Sequence, residues 1–130
     1  MNSSSVVFDS SVVLALIRKE PGSQKITPDL LVQSAISTVN LAEVQGRLVG
    51  AGWSREDAWL DATSTGSAIM PFTTEQAEIA GNLIAQTRSL GLSLGDRACL
   101  ALALEQNAPV YTADRAWKNL KLAIPVHVIR

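Results

Sequence analysis

The sequence predicts an open three-layer α/β/α domain with a mainly parallel sheet of about five strands. Three observations predict it. Short β-prone runs alternate with helical patterns along all 130 residues. Capping and turn signals separate the runs at regular intervals. One helical stretch, Ala98 to Leu104, is apolar all round and should lie buried.

The elements follow in order. Val6-Val7-Phe8 reads as a first strand ending at Asp9. Val12, Val13, Leu14, Leu16 and Ile17 read as a buried first helix, stopped by Glu20-Pro21-Gly22-Ser23. Thr27-Pro28-Asp29 opens a brief helix with proline at its first position. Ala35-Ile36-Ser37 is a second strand. A helix over 38–50 sets Leu41, Val44 and Leu48 on an apolar face and Asn40, Glu43 and Arg47 on a polar stripe. Ser54-x-x-Asp57 resembles a capping box and opens a helix to about Ser64. Ala68-Ile69-Met70 is a third strand. Thr73-x-x-Gln76 is another capping box, and one helix runs from it to Gly91. Ser93-Leu94-Gly95-Asp96 opens the buried helix, stopped by Asn107-Ala108-Pro109. Val110-Tyr111-Thr112 is a fourth strand, 114–120 a short helix, and Val126-His127-Val128-Ile129 a last strand. No repeat or linker interrupts the pattern, so residues 1–130 read as one domain.

Composition narrows the chemistry. A net charge of -1 argues against holding a polyanion by bulk positive charge. The lone cysteine, Cys99, permits no internal disulfide and suits a reducing, cytoplasmic setting. Met1-Asn2-Ser3-Ser4-Ser5 has no basic or long apolar stretch, so no signal peptide is expected. No apolar run is long enough to span a membrane. One cysteine and one histidine exclude a Cys/His metal motif. A Ser-His-Asp triad has only His127 to use, and no Gly-x-Ser-x-Gly exists. Carboxylates remain as the candidates.

Four of them fall at related places. Asp9 directly follows the first strand and Asp114 comes two residues after the fourth. Asp96 opens the buried helix, and Glu43 lies in the first turns of the helix after the second strand. In an open parallel sheet such connections share the edge beyond the strands' carboxyl ends, where ligands bind. Each acid also has a plainer role. Asp9 and Asp114 suit helix starts, Asp96 suits a capping box with Ser93, and Glu43 suits an i,i+4 pair with Arg47. If the four converge, two carboxylates about 5 Å apart repel by roughly 3 kcal/mol at an effective dielectric near 20. Six such pairs sum to about 20 kcal/mol, beyond the roughly 5–15 kcal/mol stability of a typical domain. Either some acids are protonated or a cation neutralises them. Oxygen donors select a hard ion, Mg²⁺ or Mn²⁺, which activates water and orients a phosphodiester.

Four segments then carry a resemblance. Val-Phe-Asp9-Ser-Ser-Val-Val-Leu-Ala-Leu, Ile-Ser-Thr-Val-Asn-Leu-Ala-Glu43-Val, Leu-Ser-Leu-Gly-Asp96-Arg-Ala-Cys-Leu-Ala-Leu-Ala and Val-Tyr-Thr112-Ala-Asp114 resemble the PIN-domain ribonucleases, in order and over essentially the whole chain. The short length is most like the VapC toxins of type II toxin–antitoxin pairs. The resemblance implies a metal-dependent endoribonuclease, with Mg²⁺ as cofactor and Mn²⁺ as a substitute. It implies Asp9 and Asp96 as the firmest metal ligands, with Glu43 and Asp114 completing a catalytic acidic pocket. Ser10 and Thr112 would hydrogen-bond the acids or the water. It also implies a homodimer restrained by a VapB-type antitoxin, cleavage of structured RNA, commonly transfer RNA, and arrest of translation.

Two other readings stay open. A receiver-like signalling domain also has acids on a parallel sheet, but it wants adjacent acids after strand one and a lysine after the last strand. A catalytically silent PIN-like binding module would keep the fold alone. Outside the acids, Arg97 and Arg115 are candidates for phosphate contact or plain surface charge. Trp53 and Trp59 suit an interface or packing, Trp117 packing, His127 a structural place, and Cys99 an inert one.

Overall fold

The computed structural model describes residues 5–130. The signal-peptide expectation for Met1-Asn2-Ser3-Ser4-Ser5 therefore falls almost wholly outside the described residues. Five strands form one sheet: β1 Val6–Phe8, β2 Ser34–Ser37, β3 Ala68–Met70, β4 Val110–Thr112 and β5 Val126–Val128. The order is β3-β2-β1-β4-β5, and every pairing is parallel. Val6 pairs with Ser34, while Val7 and Phe8 pair with Val110 and Tyr111. The chain winds outward from β1 to one edge, then returns to the other side of β1 as β4. The gap beyond β1 and β4 is thus the point where strand order reverses, the usual ligand position in such sheets.

Among the described residues, seven α-helices connect the strands: α1 Ser10–Arg18, α2 Pro28–Val32, α3 Thr38–Gly50, α4 Arg55–Thr63, α5 Thr74–Asn82, α6 Ile84–Thr87 and α7 Leu94–Gln106. Strand side chains alternate between two cores. Val6, Phe8 and Ile36 join Val12, Val13, Leu41, Val44 and Leu48 on one side. Val7, Ala35 and Val110 join Cys99, Leu100, Leu102 and Trp117 on the other. Both faces of the central strands β1, β2 and β4 are covered, as parallel strands require, while the edge strand β3 is largely exposed. Residues Ala98 to Ala103 of α7 are fully buried, as their all-round apolarity predicts.

The helix starts follow from their caps. Thr27 accepts from the Leu30 N–H, with Pro28 at the first helical position. Ser93 and Asp96 form the reciprocal capping box of α7. Only the Ser54 half of the box at α4 forms. At α5 the Thr73 hydroxyl accepts from the Gln76 N–H, but the buried Gln76 side chain donates instead to Glu105 Oε1 at 2.8 Å.

One expected element differs. The single helix from Thr73 to Gly91 is three pieces: α5, α6 and a 3-10 turn at Arg88–Leu90. The Leu83 carbonyl is the joint, since it accepts from Gln86 N, Thr87 N and the Thr87 hydroxyl. Such side-chain competition bends helices. Residues 114–120 likewise tighten to a 3-10 turn, Arg115–Asn119, begun by Asp114, whose carboxylate accepts from the Ala116 N–H.

Leu100→Ala removes a fully buried side chain from α7. Chemical denaturation should show a loss of about 2–5 kcal/mol; an unchanged midpoint would contradict the packing described.

Candidate active site

Asp9 follows β1 directly and occupies the N-cap position of α1. Its carboxylate makes no capping bond, so a plain cap does not account for it. It is 3% exposed. Its Oδ2 accepts from the Ser11 hydroxyl at 2.7 Å and from the Thr112 hydroxyl at 3.1 Å. Its Oδ1 is buried with no hydrogen-bond partner.

The hydroxyl expected of Ser10 is therefore supplied by Ser11. In α1 the side chain two positions after Asp9 turns back to the carboxylate; Ser10 and Ser11 both line a neighbouring pocket, but only Ser11 bonds Asp9. Ser11 also accepts from the Ala113 N–H at 2.9 Å, tying α1 to the segment after β4. Thr112 Oγ1 accepts from the Asp114 N–H at 3.1 Å. One small network thus links Asp9, Ser11, Thr112 and the backbone of Asp114.

The other two acids arrive on α3 and α7. Glu43 does not pair with Arg47. Its Oε1 accepts from Asn40 Nδ2 at 2.9 Å, and the same amide donates to the Gly95 carbonyl at 3.0 Å. Asn40 is completely buried, so the polar stripe read on α3 is not a solvated one. Gly95 lies against the Glu43 carboxylate so closely that any Cβ there would overlap it. Asp96 sits one residue on, half-held by its Ser93 box through Oδ2.

The electrostatics reflect how near the carboxylates are to one another. Asp9 is pushed up from 3.8 to about 6, chiefly by burial; Ser11 and Thr112 oppose this, and repulsion from Asp96 and Glu43 adds to it. Asp96 is also raised, first by burial, with repulsion from Glu43 and Asp114 contributing and its Ser93 bonds opposing. Cys99 lies beneath: burial raises its thiol, and Asp9, Asp96 and Glu43 raise it further. It is an inert thiol. Among the described residues, no three Asp, Glu, His or Cys groups form a ready-made cage for an ion. The acids are neighbours along one rim rather than a closed ligand set.

The donor set nevertheless fits a hard divalent cation. All donors are oxygens. Asp9 Oδ1 is an orphaned buried acceptor. Gly95 leaves open the space that the Glu43 carboxylate fills.

Sequence reasoning missed Ser11 and Asn40 as site residues. Their signals were a hydroxyl two residues after Asp9 and an amide three residues before Glu43. Arg97 and Arg115 make backbone contacts, to the carbonyls of Ala80 and Arg130. His127 stacks on Tyr111 with ring centroids 4.7 Å apart. Trp117 is fully buried, while Trp59 is half exposed.

An α/β/α sheet with acids ranged along its switch-point rim defines a class of fold and site. The chain belongs to the PIN-domain family, whose model matches residues 6–122. Solved structures share the fold. VapBC from Salmonella typhimurium bound to DNA has a TM-score of 0.75 at 16% identity, covering 98% of this chain and 100% of that one. VapBC2 from Rickettsia felis, bound to a DNA fragment from its promoter, has a TM-score of 0.72 at 22% identity, covering 93% and 96%. VapBC-5 from Mycobacterium tuberculosis has a TM-score of 0.61 at 23% identity, covering 97% and 98%. Among curated proteins none matches the chain.

The raised Asp9 has a consequence for stability. An acid with a higher pKa folded than unfolded binds its proton more tightly when folded. Its contribution is present below pH 3.8 and is lost as pH rises through about 6. The shift corresponds to about 3 kcal/mol. Without divalent cation, Asp9→Asn should be more stable than the parent by about 1–3 kcal/mol at pH 8, since the amide adds an unpaired donor that takes back part of the gain. At pH 4 the advantage should vanish. Denaturant titrations at both pH values check this; a variant less stable at pH 8 would contradict it.

Proposed function

We propose that this chain is a VapC-type toxin: a Mg²⁺-dependent endoribonuclease that cuts structured RNA, with transfer RNA the first candidate, and so inhibits translation in the cytoplasm. One observation carries the reading. Asp9 is buried at the strand switch point with an unpartnered oxygen, Asp96 and Glu43 are near enough to repel it, and Asp114 in turn repels Asp96.

In this reading Asp9 and Asp96 hold the ion, with Glu43 and Asp114 completing the set. A bound Mg²⁺ or Mn²⁺ would supply water activation and charge neutralisation at the phosphodiester. The chain's own residues prepare for this. Ser11 and Thr112 fix Asp9 Oδ2, which leaves Oδ1 as the oxygen without a protein partner, the one open to an ion. Asn40 holds Glu43 Oε1 and anchors it to the start of α7 through the Gly95 carbonyl. Ser93 fixes Asp96 in the first turn of that helix.

The partner in this reading is a VapB-type antitoxin. Structural neighbours were solved as VapBC complexes. A groove lined by Leu16, Ile17 and Leu31 together with Asp61, Ser64 and Thr65 offers such a partner a seat, and α4, which carries Asp61, also exposes Trp59 and Leu60. A homodimer completes the proposed assembly.

Incubation of the purified chain with transfer and ribosomal RNA should yield internal cuts that need Mg²⁺ and stop with EDTA. Asp9→Asn and Asp96→Asn should each lower the rate by on the order of 100-fold or more. Full cleavage in EDTA, or by Asp9→Asn, would refute the assignment. Phosphoryl transfer to Asp9 from a small phosphate donor would favour the receiver-like alternative.

A further inference from the structure

Beside the acidic rim lies a pocket of opposite charge. It has a volume of about 140 Å³ and is lined by Ser10, Ser11, Leu14 and Arg18 of α1, by Arg47 of α3, and by Glu20 and Arg130. Ser11, Leu14 and Arg18 stand at i, i+3 and i+7, one stripe of a helix. The stripe begins at the hydroxyl bound to Asp9 and ends at a guanidinium about 10 Å along the axis. Arg47 follows Glu43 by four residues, about 6 Å along α3. Pocket and acids therefore share both helices and one wall.

The charges in the pocket do not cancel. Three guanidinium groups face one carboxylate, Glu20. Arg130 Nη1 is held by Glu20 Oε1 at 3.3 Å and by the Pro21 carbonyl. That is the one ion pair among the described residues. Arg18 and Arg47 are exposed and form none. Glu43 is at the favourable i−4 position for Arg47, yet it is engaged by Asn40. A place near a helix C-terminus accounts for each arginine singly. It does not account for both facing one cavity with a third.

We propose that this pocket is a phosphate subsite for the RNA backbone, in which Arg18 and Arg47 grip a phosphate flanking the one at the acids. The inference rests on the nuclease reading and deepens it. A guanidinium fork matches phosphate oxygens, and a chain of net charge -1 needs local cations to hold a polyanion against its own acidic rim. Arg18 and Arg47 act as positioning residues and take no part in bond breaking.

The test uses the full chain with Arg18→Ala, Arg47→Ala, the double variant and Arg47→Lys. Cleavage of a transfer-RNA mixture in Mg²⁺ is followed at several KCl concentrations, with thermal unfolding as a check on the fold. Each alanine variant should raise KM by on the order of ten-fold with kcat within about two-fold. Each should lower the salt dependence of 1/KM by about one in log–log slope. Arg47→Lys should restore part of the loss. If the parent cleaves RNA and the double variant keeps its KM and slope, the subsite is refuted and the nuclease reading stands. The subsite is likewise refuted if an acidic peptide, but not RNA, loses affinity with these variants. If the parent cleaves no RNA, the nuclease reading falls and the subsite falls with it.

Discussion

A carboxylate buried without a counter-charge is the constraint on which the site depends. Asp9 is almost fully enclosed, and no basic side chain among the described residues pairs with it. Burying an ionised carboxylate costs several kcal/mol unless hydrogen bonds or a cation compensate. Two hydroxyls satisfy one oxygen and leave the other bare. Glu43 and Asp96 add repulsion from outside. The chain tolerates this cost because the rest of the fold is well packed and both faces of the central strands are covered.

The parallel topology is what assembles the rim. Three-residue strands at β1 and β4 end side by side, so Asp9 and Thr112 meet although far apart in sequence. The fully buried middle of α7 fixes Gly95 and Asp96 against α3, and Asn40 locks the two helices together at that level. Gly95 belongs to this arrangement because its missing side chain admits the Glu43 carboxylate. Packing deep in the domain therefore sets the position of charges at its edge.

Much of this was legible in the sequence, and the exceptions have physical causes. Alternating strand and helix signals gave the sheet, and the Ser93 box with its all-apolar successor gave α7. The break after Asn82 was not legible, since it arises from a threonine hydroxyl competing for a helix carbonyl. Asn40 read as solvated because periodicity shows which side a residue faces, not what covers that side. Ser10 and Ser11 were indistinguishable by type, and only the turn of α1 chooses between them. The acids' places in the chain were readable, but their spacing was not: they lie along one rim without forming a closed cage.

Calorimetric titration of the parent chain and of Glu43→Gln with Mn²⁺, at pH 7.5 and at pH 5, asks whether these acids hold a divalent ion. Binding should be saturable at pH 7.5, weaker at pH 5 where Asp9 holds a proton, and weaker in the variant at pH 7.5. Absence of Mn²⁺ binding at pH 7.5, or equal affinity in all cases, would contradict it.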